Sequence, residues 1–368
     1  MNGSRVLTVA VAGGGAAWEA DVLDEIQLSE ALHLRRRCLD VAELLSLSGL
    51  CDVAVVSTGL AGLDLESVQS LQRDGVQVIG IGDAVRARRL GIAALTIPGQ
   101  IEACVSAPAE TPVPTTPGAI TAVWGPHGAP GRSVIAASLA AAWAGPERMV
   151  TLVDADSRGG SLAQMQAVLD DTSGLVAACR AANRGEASPS SEHALLLEPG
   201  LRLLTGVVRA DMWDQVREAP FQRVIRSVAE TSDVVVVDLG PGLDPQTRHV
   251  LTVADRVVVV GRADPVGLAR LVRSLHDLAS VRAEALTRPT VVMNLMRAGA
   301  AWSSADVADA VLRLAGVRPD VFIPADHRAV DTAVLRGAVP ARVAPESSFT
   351  KAFGDLLDRL SAPVGALS

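Results

Sequence analysis

Residues 119–140 constrain the fold more than any other stretch of this chain. They read AITAVWGPHGAPGRSVIAASLA, where an apolar run typical of a β-strand leads into a glycine-rich turn and then an alanine-rich segment typical of a helix. Gly125, Gly128 and Gly131 would let the backbone approach a ligand closely, and the amides at a helix start attract anions. This arrangement predicts a phosphate-binding loop between a strand and a helix.

The loop departs from the usual pattern G-x-x-x-x-G-K-[ST] in ways that affect its chemistry. Pro126 stands at the first glycine and Arg132 at the lysine, while Ser133 matches the hydroxyl that binds Mg²⁺. Pro130 has no N–H group to donate to a phosphate. The guanidinium of Arg132 is planar and forked, whereas the ammonium group of a lysine is a compact charge. We therefore expect nucleotide binding more firmly than turnover. The alternative is an ordinary Gly/Pro turn between a strand and a helix.

The composition indicates a soluble globular protein with two or three domains. The chain has 368 residues, of which 49% are apolar and 20% charged, and its net charge of −8 argues against a general attraction to nucleic acid or anionic membranes. The cysteines are far apart in the sequence and form no metal or disulfide pattern, so a reducing cytoplasm is the expected location. They are Cys38, Cys51, Cys104 and Cys179.

The first hundred residues alternate short apolar runs with helical segments, which predicts a βαβαβαβαβ unit with a parallel sheet. We read the apolar segment that begins at Val6 as its first strand and not as a signal peptide. The order and size resemble a response-regulator receiver. A receiver has an acidic pair after its first strand and an acceptor aspartate after its third. Here these places hold the glycines at 13–15 and Ser57, so we expect a protein-interaction module that is not phosphorylated.

Three segments follow from this reading of the chain. Residues 1–104 form the degenerate receiver-like domain, and residues 105–118, rich in proline, threonine and alanine, form a linker. Residues 119–368 continue the strand–helix alternation and carry every remaining motif. The predicted fold class is therefore α/β, with a receiver-like parallel-sheet domain before a nucleotide-binding α/β domain.

Polar side chains close three predicted strands of the second domain. Asp154 and Asp156 end MVTLVDAD, Asp238 ends DVVVVDLG, and Asn294 lies near the end of RPTVVMNLM. Carboxyl ends of parallel strands face one crevice, so we expect one carboxylate to ligate Mg²⁺ and another to orient an attacking water. Each residue also has a simpler reading as a turn or capping residue.

Together these residues resemble the MinD/ParA class of P-loop ATPases, whose loop has the form KGGxGK[ST]. The resemblance covers about residues 119–361, and a degenerate receiver before such a domain is similar to the CpaE/TadZ branch, which includes septum-site-determining and pilus-assembly proteins. It implies a homodimer that binds ATP or ADP with Mg²⁺. The implied nucleotide contacts are His127, Gly128, Gly131, Arg132, Ser133 and Asn294. The implied metal site is Ser133, Asp154 and Asp238, and the implied catalytic residues are Asp156 and Arg132.

Two family lysines are replaced here, the signature lysine by His127 and the loop lysine by Arg132. The resemblance thus implies a regulator of septum placement or polar pilus assembly with slow or absent hydrolysis. Its partners would bind through the receiver-like domain. Three alternatives stay open: an active ATPase with nucleotide-dependent dimerisation, a DNA-segregation protein using Arg270 and Arg273, and a nucleotide-free scaffold.

The last predicted helix, SSFTKAFGDLLDRLSA, is amphipathic but carries balanced charges. Related proteins use a basic helix at this place to dock on membranes. Because Lys351 and Arg359 are offset by Asp355 and Asp358, we expect the helix to pack on its own domain, with peripheral membrane contact at most.

Overall fold

The computed structural model describes residues 6–92, 94–106, 117–128, 130–169, 172–186, 190, 192–282, 288–297 and 302–361. Its contacts divide the chain into two compact units, Met1–Pro114 with Cys179–Pro189, and Thr115–Ala178 with Ser190–Ser368. The sequence did not predict that Cys179–Pro189 groups with the first unit. Most of the predicted linker, residues 107–116, lies outside the described residues, and positions 105 and 106 belong to a helix.

The first unit is a parallel five-stranded sheet with helices, as its sequence predicts. Its strands are β1 (Leu7–Ala12), β2 (Leu32–Arg37), β3 (Val53–Ser57), β4 (Gln77–Ile81) and β5 (Ala94–Leu95). Its helices are α1 (Glu19–Leu28), α2 (Val41–Ser46), α3 (Leu65–Arg73), α4 (Ala84–Arg89) and α5 (Ile101–Ser106). The strand order β2-β1-β3-β4-β5 is that of flavodoxin-like doubly wound sheets, to which receivers belong.

The glycines after β1 pack against a carboxylate that the sequence analysis did not single out. Glu19 is almost fully buried, accepts a hydrogen bond from the Gly15 amide at 3.2 Å, and accepts another from Arg37 Nε at 2.8 Å. The bond from Arg37 is the main reason that the pKa of Glu19 is lowered. A Cβ on Gly13 would lie 2.9 Å from Glu19 Cδ, so a side chain at this position would displace the carboxylate. The carboxylate serves the packing of the loop.

The second unit is built on an eight-stranded sheet. Its strands are β6 (Ala119–Trp124), β7 (Val150–Ala155), β8 (Leu195–Glu198), β9 (Leu201–Leu204), β10 (Val234–Leu239), β11 (Arg256–Arg262), β12 (Thr290–Met296) and β13 (Val321–Pro324). Their order is β13-β12-β11-β6-β10-β7-β9-β8, and only the pairing of the edge strand β8 with β9 is antiparallel.

Helices connect these strands. They are α6 (Arg132–Trp143), α7 (Leu162–Met165), α8 (Gly174–Asn183), α9 (Glu218–Glu230), α10 (Pro245–Val253), α11 (Pro265–Val281), α12 (Ser304–Ala315), α13 (His327–Leu335), α14 (Pro340–Val343) and α15 (Ser348–Ser361), with a 3-10 helix at Ala210–Gln215. The strands β6, β7, β10 and β11 are buried along almost their whole length, which explains their continuous valine-rich runs. Because β6 lies between β10 and β11, the carboxyl ends of these strands meet at one edge.

The last helix packs on its own unit, as the sequence predicts. Phe349, Phe353, Leu356 and Leu360 of α15 are buried in the main hydrophobic cluster of the second unit. The two phenylalanine rings stack with centroids 5.9 Å apart. The apolar face of this helix is therefore used within the fold. Within the described residues, no helix combines the length and apolar character needed to cross a membrane.

Candidate functional site

The predicted strand–turn–helix is present between β6 and α6. Gly131 precedes α6 in the left-handed region, with φ of 93°, and its carbonyl accepts the Ile135 amide at 3.1 Å. At the other end of the loop, a Cβ on Gly125 would lie 2.3 Å from the carbonyl oxygen of Val260 on β11. The loop thus needs glycine at one end for backbone conformation and at the other for space. The phosphate-binding role of this loop stays a prediction.

Arg132 is folded back onto the loop that it follows. Its Nε donates to the Leu239 carbonyl at 3.0 Å, and its Nη1 donates to the carbonyls of Gly125 and Pro126 at 3.3 and 2.8 Å. Its Nη2 lies 3.5 Å from Asp156 Oδ2, and only 11% of the side chain is exposed. The guanidinium is therefore held by three backbone carbonyls and one carboxylate, a geometry that the sequence did not reveal.

Two predicted metal ligands lie side by side on neighbouring strands. Asp154 and Asp238 are register partners across β7 and β10, and both are buried. Asp154 accepts hydrogen bonds from the amides of Leu162 and Asp156 at 3.0 and 3.3 Å. In the described part of the chain, neither carboxyl oxygen of Asp238 has a hydrogen-bond partner. Such an unsatisfied buried carboxyl is costly to retain and commonly marks a functional position.

Burial raises the pKa of both carboxyls. The pKa of Asp154 rises to about 6, mainly through desolvation. The pKa of Asp238 rises to about 8 through desolvation and then through the neighbouring Asp154, while Ser133 and Arg132 act in the opposite direction. Near neutral pH the pair therefore carries at least one proton for much of the time.

Asp156 and Ser133 lie at the same edge of the sheet. Asp156 accepts the Arg158 amide at 2.9 Å and faces Arg132, with 18% of its side chain exposed. Ser133 is in the first turn of α6, and its hydroxyl lies 3.5 Å from Ser161 Oγ. The hydroxyl and carboxyl groups supply the oxygen donors that Mg²⁺ prefers, and the unpartnered oxygens of Asp238 fit such an ion. Within the described residues, no three His, Cys, Asp or Glu side chains group closely enough to hold a metal alone.

Asn294 reaches the loop from β12. Its Nδ2 donates to the Pro130 carbonyl at 2.8 Å, and a Cβ on Gly131 would lie 2.4 Å from that nitrogen. The side chain is buried, and its Oδ1 has no partner within the described residues. The following residue, Leu295, has a φ of 58°, a strained conformation for a leucine. Asn294 therefore supports the loop, and its contact with adenine stays a prediction.

Two further arginines complete the surroundings of the loop: Arg262, the last residue of β11, and Arg270 on α11. Arg270 Nη1 donates to the His127 carbonyl at 3.3 Å, and Arg262 Nη1 donates to the Gly128 carbonyl at 3.3 Å. From the sequence, Arg270 was predicted only as a possible DNA contact, and Arg262 was not predicted as a site residue. The available signal was the place of Arg262 at the carboxyl end of β11 and of Arg270 on the helix that follows this strand.

The fold of this chain is similar to that of several solved structures. The ParA family ATPase of Chlorobium tepidum superposes with a TM-score of 0.58 at 22% identity, covering 66% of this chain and 98% of that chain. The cell division ATPase MinD of Pyrococcus furiosus gives 0.53 at 22% identity, covering 66% and 98%. The septum site-determining protein MinD of Pyrococcus horikoshii, complexed with Mg-ADP, gives 0.54 at 18% identity, covering 67% and 98%.

The matched region is about two thirds of this chain, and of the two units only the second is that large. The second unit has the MinD/ParA fold. No protein-family model matches the chain, and no curated protein matches it. In this unit the predicted site residues lie around the loop, at the carboxyl edge of the eight-stranded sheet. Their roles stay predictions.

Proposed function

We propose that the MinD/ParA-fold unit binds ATP or ADP with Mg²⁺ and hydrolyses ATP slowly or not at all. The observation that carries this proposal is the convergence of four features at one sheet edge. They are the glycine-bounded loop, the start of α6, the Asp154–Asp238 pair and the Ser133 hydroxyl. A loop of backbone amides at a helix start favours phosphate, and the neighbouring oxygen donors favour a hard cation.

Slow hydrolysis follows from how the charged groups of the site are engaged. Phosphoryl transfer depends on positioned charge, and the loss of one stabilising group costs on the order of 10²-fold in rate. Arg132 must give up bonds to three carbonyls before it can reach a terminal phosphate. Asp156, which would orient the attacking water, faces that same guanidinium. His127, at the place of the signature lysine, is shorter than a lysine and carries no ammonium group.

The magnesium ion would be held by Ser133, Asp154 and Asp238 together with phosphate oxygens. When bound, it would neutralise charge on the phosphates. Buried carboxyls without hydrogen bonds are better satisfied by a cation than by solvent, which is the reason for assigning Asp238 to the ion. Asp154 is already bonded to two amides, so it would approach the ion with its remaining lone pairs.

At the level of the cell, we propose that the protein regulates where a septum or a polar pilus-assembly complex is placed. Two of the similar structures are a cell division ATPase and a septum site-determining protein, which supports a positioning role. The receiver-type strand order of the first unit supports the CpaE/TadZ-like branch and a role for that unit in recruiting septum or pilus-assembly proteins. The proposal also includes a homodimer located in the cytoplasm.

A calorimetric titration tests the nucleotide-binding proposal. The full-length protein should bind ATP and ADP more tightly with Mg²⁺ than without it, and Arg132→Ala should abolish binding. Arg148→Ala is the control, because Arg148 is exposed on the turn before β7 and outside the loop. Circular dichroism should show that both variants are folded. If the folded native protein binds no nucleotide at about millimolar concentration, the proposal is wrong.

A nucleotide-free scaffold is the second candidate, and the contacts of Arg132 favour it. The guanidinium places positive charge against the loop carbonyls and so stabilises the loop without a ligand. A scaffold would keep the MinD/ParA fold and use it only as an interaction surface. The same titration separates the two candidates, because a scaffold gives no heat with either nucleotide while Arg132→Ala lowers its thermal stability.

A further inference from the structure

The carbonyl oxygens of residues 125–128 each accept a hydrogen bond from an arginine. Arg132 serves the first two, Arg270 serves the third, and Arg262 serves the fourth, at distances of 2.8 to 3.3 Å. Three guanidinium groups from three different elements are thus collected around one short loop. The net charge of the chain is −8, yet three positive side chains are concentrated at this loop, where an anion is the expected ligand.

The three arginines differ in how much of their charge is already compensated. Arg132 faces Asp156, and Arg262 is paired with Asp264, which also caps α11. Among the residues that the structure describes, no acidic side chain pairs with Arg270. This residue is exposed on the second turn of α11, and its charge is available to a ligand at the loop.

Arg270 is held against the loop itself. A Cβ on Gly128 would lie 2.6 Å from Arg270 Nη1, so the guanidinium packs directly on a residue with a φ of 110°. The same nitrogen donates to the His127 carbonyl. The guanidinium therefore lies beside the position at which the MinD/ParA pattern has its signature lysine. One Nη1 bond leaves the other donors of the fork unused by any described residue.

We infer that Arg270 recognises the terminal phosphate of a polyphosphate ligand bound at this loop, within its own subunit. The inference rests on the proposed nucleotide-binding function and names a specificity residue for it. A planar fork bound to a loop carbonyl through one nitrogen can present its remaining N–H groups to phosphate oxygens. The third phosphate extends the anion beyond what the loop amides hold, so a cation at the edge of the loop discriminates triphosphate from diphosphate.

Arg273 provides a matched control on the same helix. It is an exposed arginine three residues further along α11, and within the described part of the chain it makes no hydrogen bond or ion pair. Substitution of either arginine removes the same charge from the same helix. A general electrostatic effect on anion binding would appear in both variants, whereas direct contact with a phosphate would appear only in one.

The experiment measures binding of a non-hydrolysable ATP analogue, ADP and inorganic tripolyphosphate to full-length native protein, Arg270→Gln, Arg270→Lys and Arg273→Gln. Loss of a charge-assisted hydrogen bond weakens binding by about 10- to 100-fold. We expect this loss for the ATP analogue and for tripolyphosphate in Arg270→Gln, with ADP changed by less than about threefold. Arg270→Lys should recover part of the affinity, and Arg273→Gln should match the native protein.

The outcomes separate this inference from the proposed function. If Arg270→Gln weakens the ATP analogue and ADP equally, or neither of them, Arg270 does not read the terminal phosphate while nucleotide binding stands. If tripolyphosphate binds in an Arg270-dependent way and nucleotides do not bind, the phosphate site stands and the nucleotide proposal is wrong. If the native protein binds none of the three, both are wrong. Melting curves of each variant exclude unfolding as the cause.

Discussion

At the scale of single residues, the buried carboxyl of Asp238 makes the stability of the fold depend on pH. The pKa of Asp238 is raised from its ordinary value of 3.8 to about 8 in the fold. Between these two pH values the folded state therefore keeps a proton that the unfolded state has released. The unfolded state then binds fewer protons, and the free energy of unfolding falls as pH rises from about 4 to about 8. The carboxyl therefore destabilises the fold on the alkaline side.

We predict that Asp238→Asn raises the melting temperature, and that the gain is larger near pH 8.5 than near pH 5. An amide of the same shape removes the cost of burying an ionised group and changes little where the acid is already neutral. Thermal melting with a metal chelator present checks this. Asp309→Asn is the control, because that side chain is 66% exposed. An equal gain at both pH values would contradict the assignment.

Arg132 and Asn294 mark the limit of what the sequence could predict at this scale. The motif placed both beside a nucleotide, and the fold does bring both to the loop. Their side chains instead contact the loop carbonyls, because a long guanidinium and a buried amide satisfy the polar groups nearest to them. Spacing along a chain gives the position of a side chain but not the partner that it selects.

At the scale of elements, the junction of β6 and the loop depends on the absence of a side chain at Gly125. Gly125 follows β6 and packs against the Val260 carbonyl on the neighbouring strand β11. Both strands are central in the sheet, so neither backbone can move far. We predict that Gly125→Ala destabilises the second unit by about 3 kcal/mol or more, since the added atom overlaps backbone. Chemical denaturation measures this.

Gly145→Ala is the control for that measurement. A Cβ at Gly145 would meet nothing within 4 Å, and its φ is not in the left-handed region. Replacement of a glycine in a permissive conformation changes stability by less than about 1 kcal/mol, in the stabilising direction. Equal effects at the two positions would show that the loop junction is not constrained as described.

The balanced charges of α15 predicted that this amphipathic helix packs on its own unit, and the structure confirms this. Its phenylalanines lie in the core of the second unit, and Phe353 is 2% exposed. We predict that Phe353→Ala lowers stability by about 3 to 5 kcal/mol, whereas Lys351→Ala changes it by less than about 0.5 kcal/mol. Denaturant titration compares the two. A membrane anchor would reverse this result, with Lys351→Ala reducing vesicle binding and Phe353→Ala leaving stability unchanged.

At the scale of the whole molecule, the sequence predicted two α/β units and the order of most of their elements. The valine-rich runs, the glycine punctuation and the aspartates at strand ends are local signals, and both sheets follow from them. The grouping of Cys179–Pro189 with the first unit was not predictable, because it depends on contacts between residues far apart in the sequence. The contacts of Arg262 and Arg270 with the loop were not predicted, for the same reason.

We propose that the MinD/ParA-fold unit binds ATP but turns it over slowly because two lysines of the family pattern are replaced. The most direct test compares ATP hydrolysis by the native protein with that by a His127→Lys, Arg132→Lys double variant, both at saturating ATP with Mg²⁺. We predict that the native rate lies about 100-fold or more below the double variant. If the native rate equals that of the double variant, and Asp156→Ala abolishes it, the loop is catalytically competent and the account is wrong.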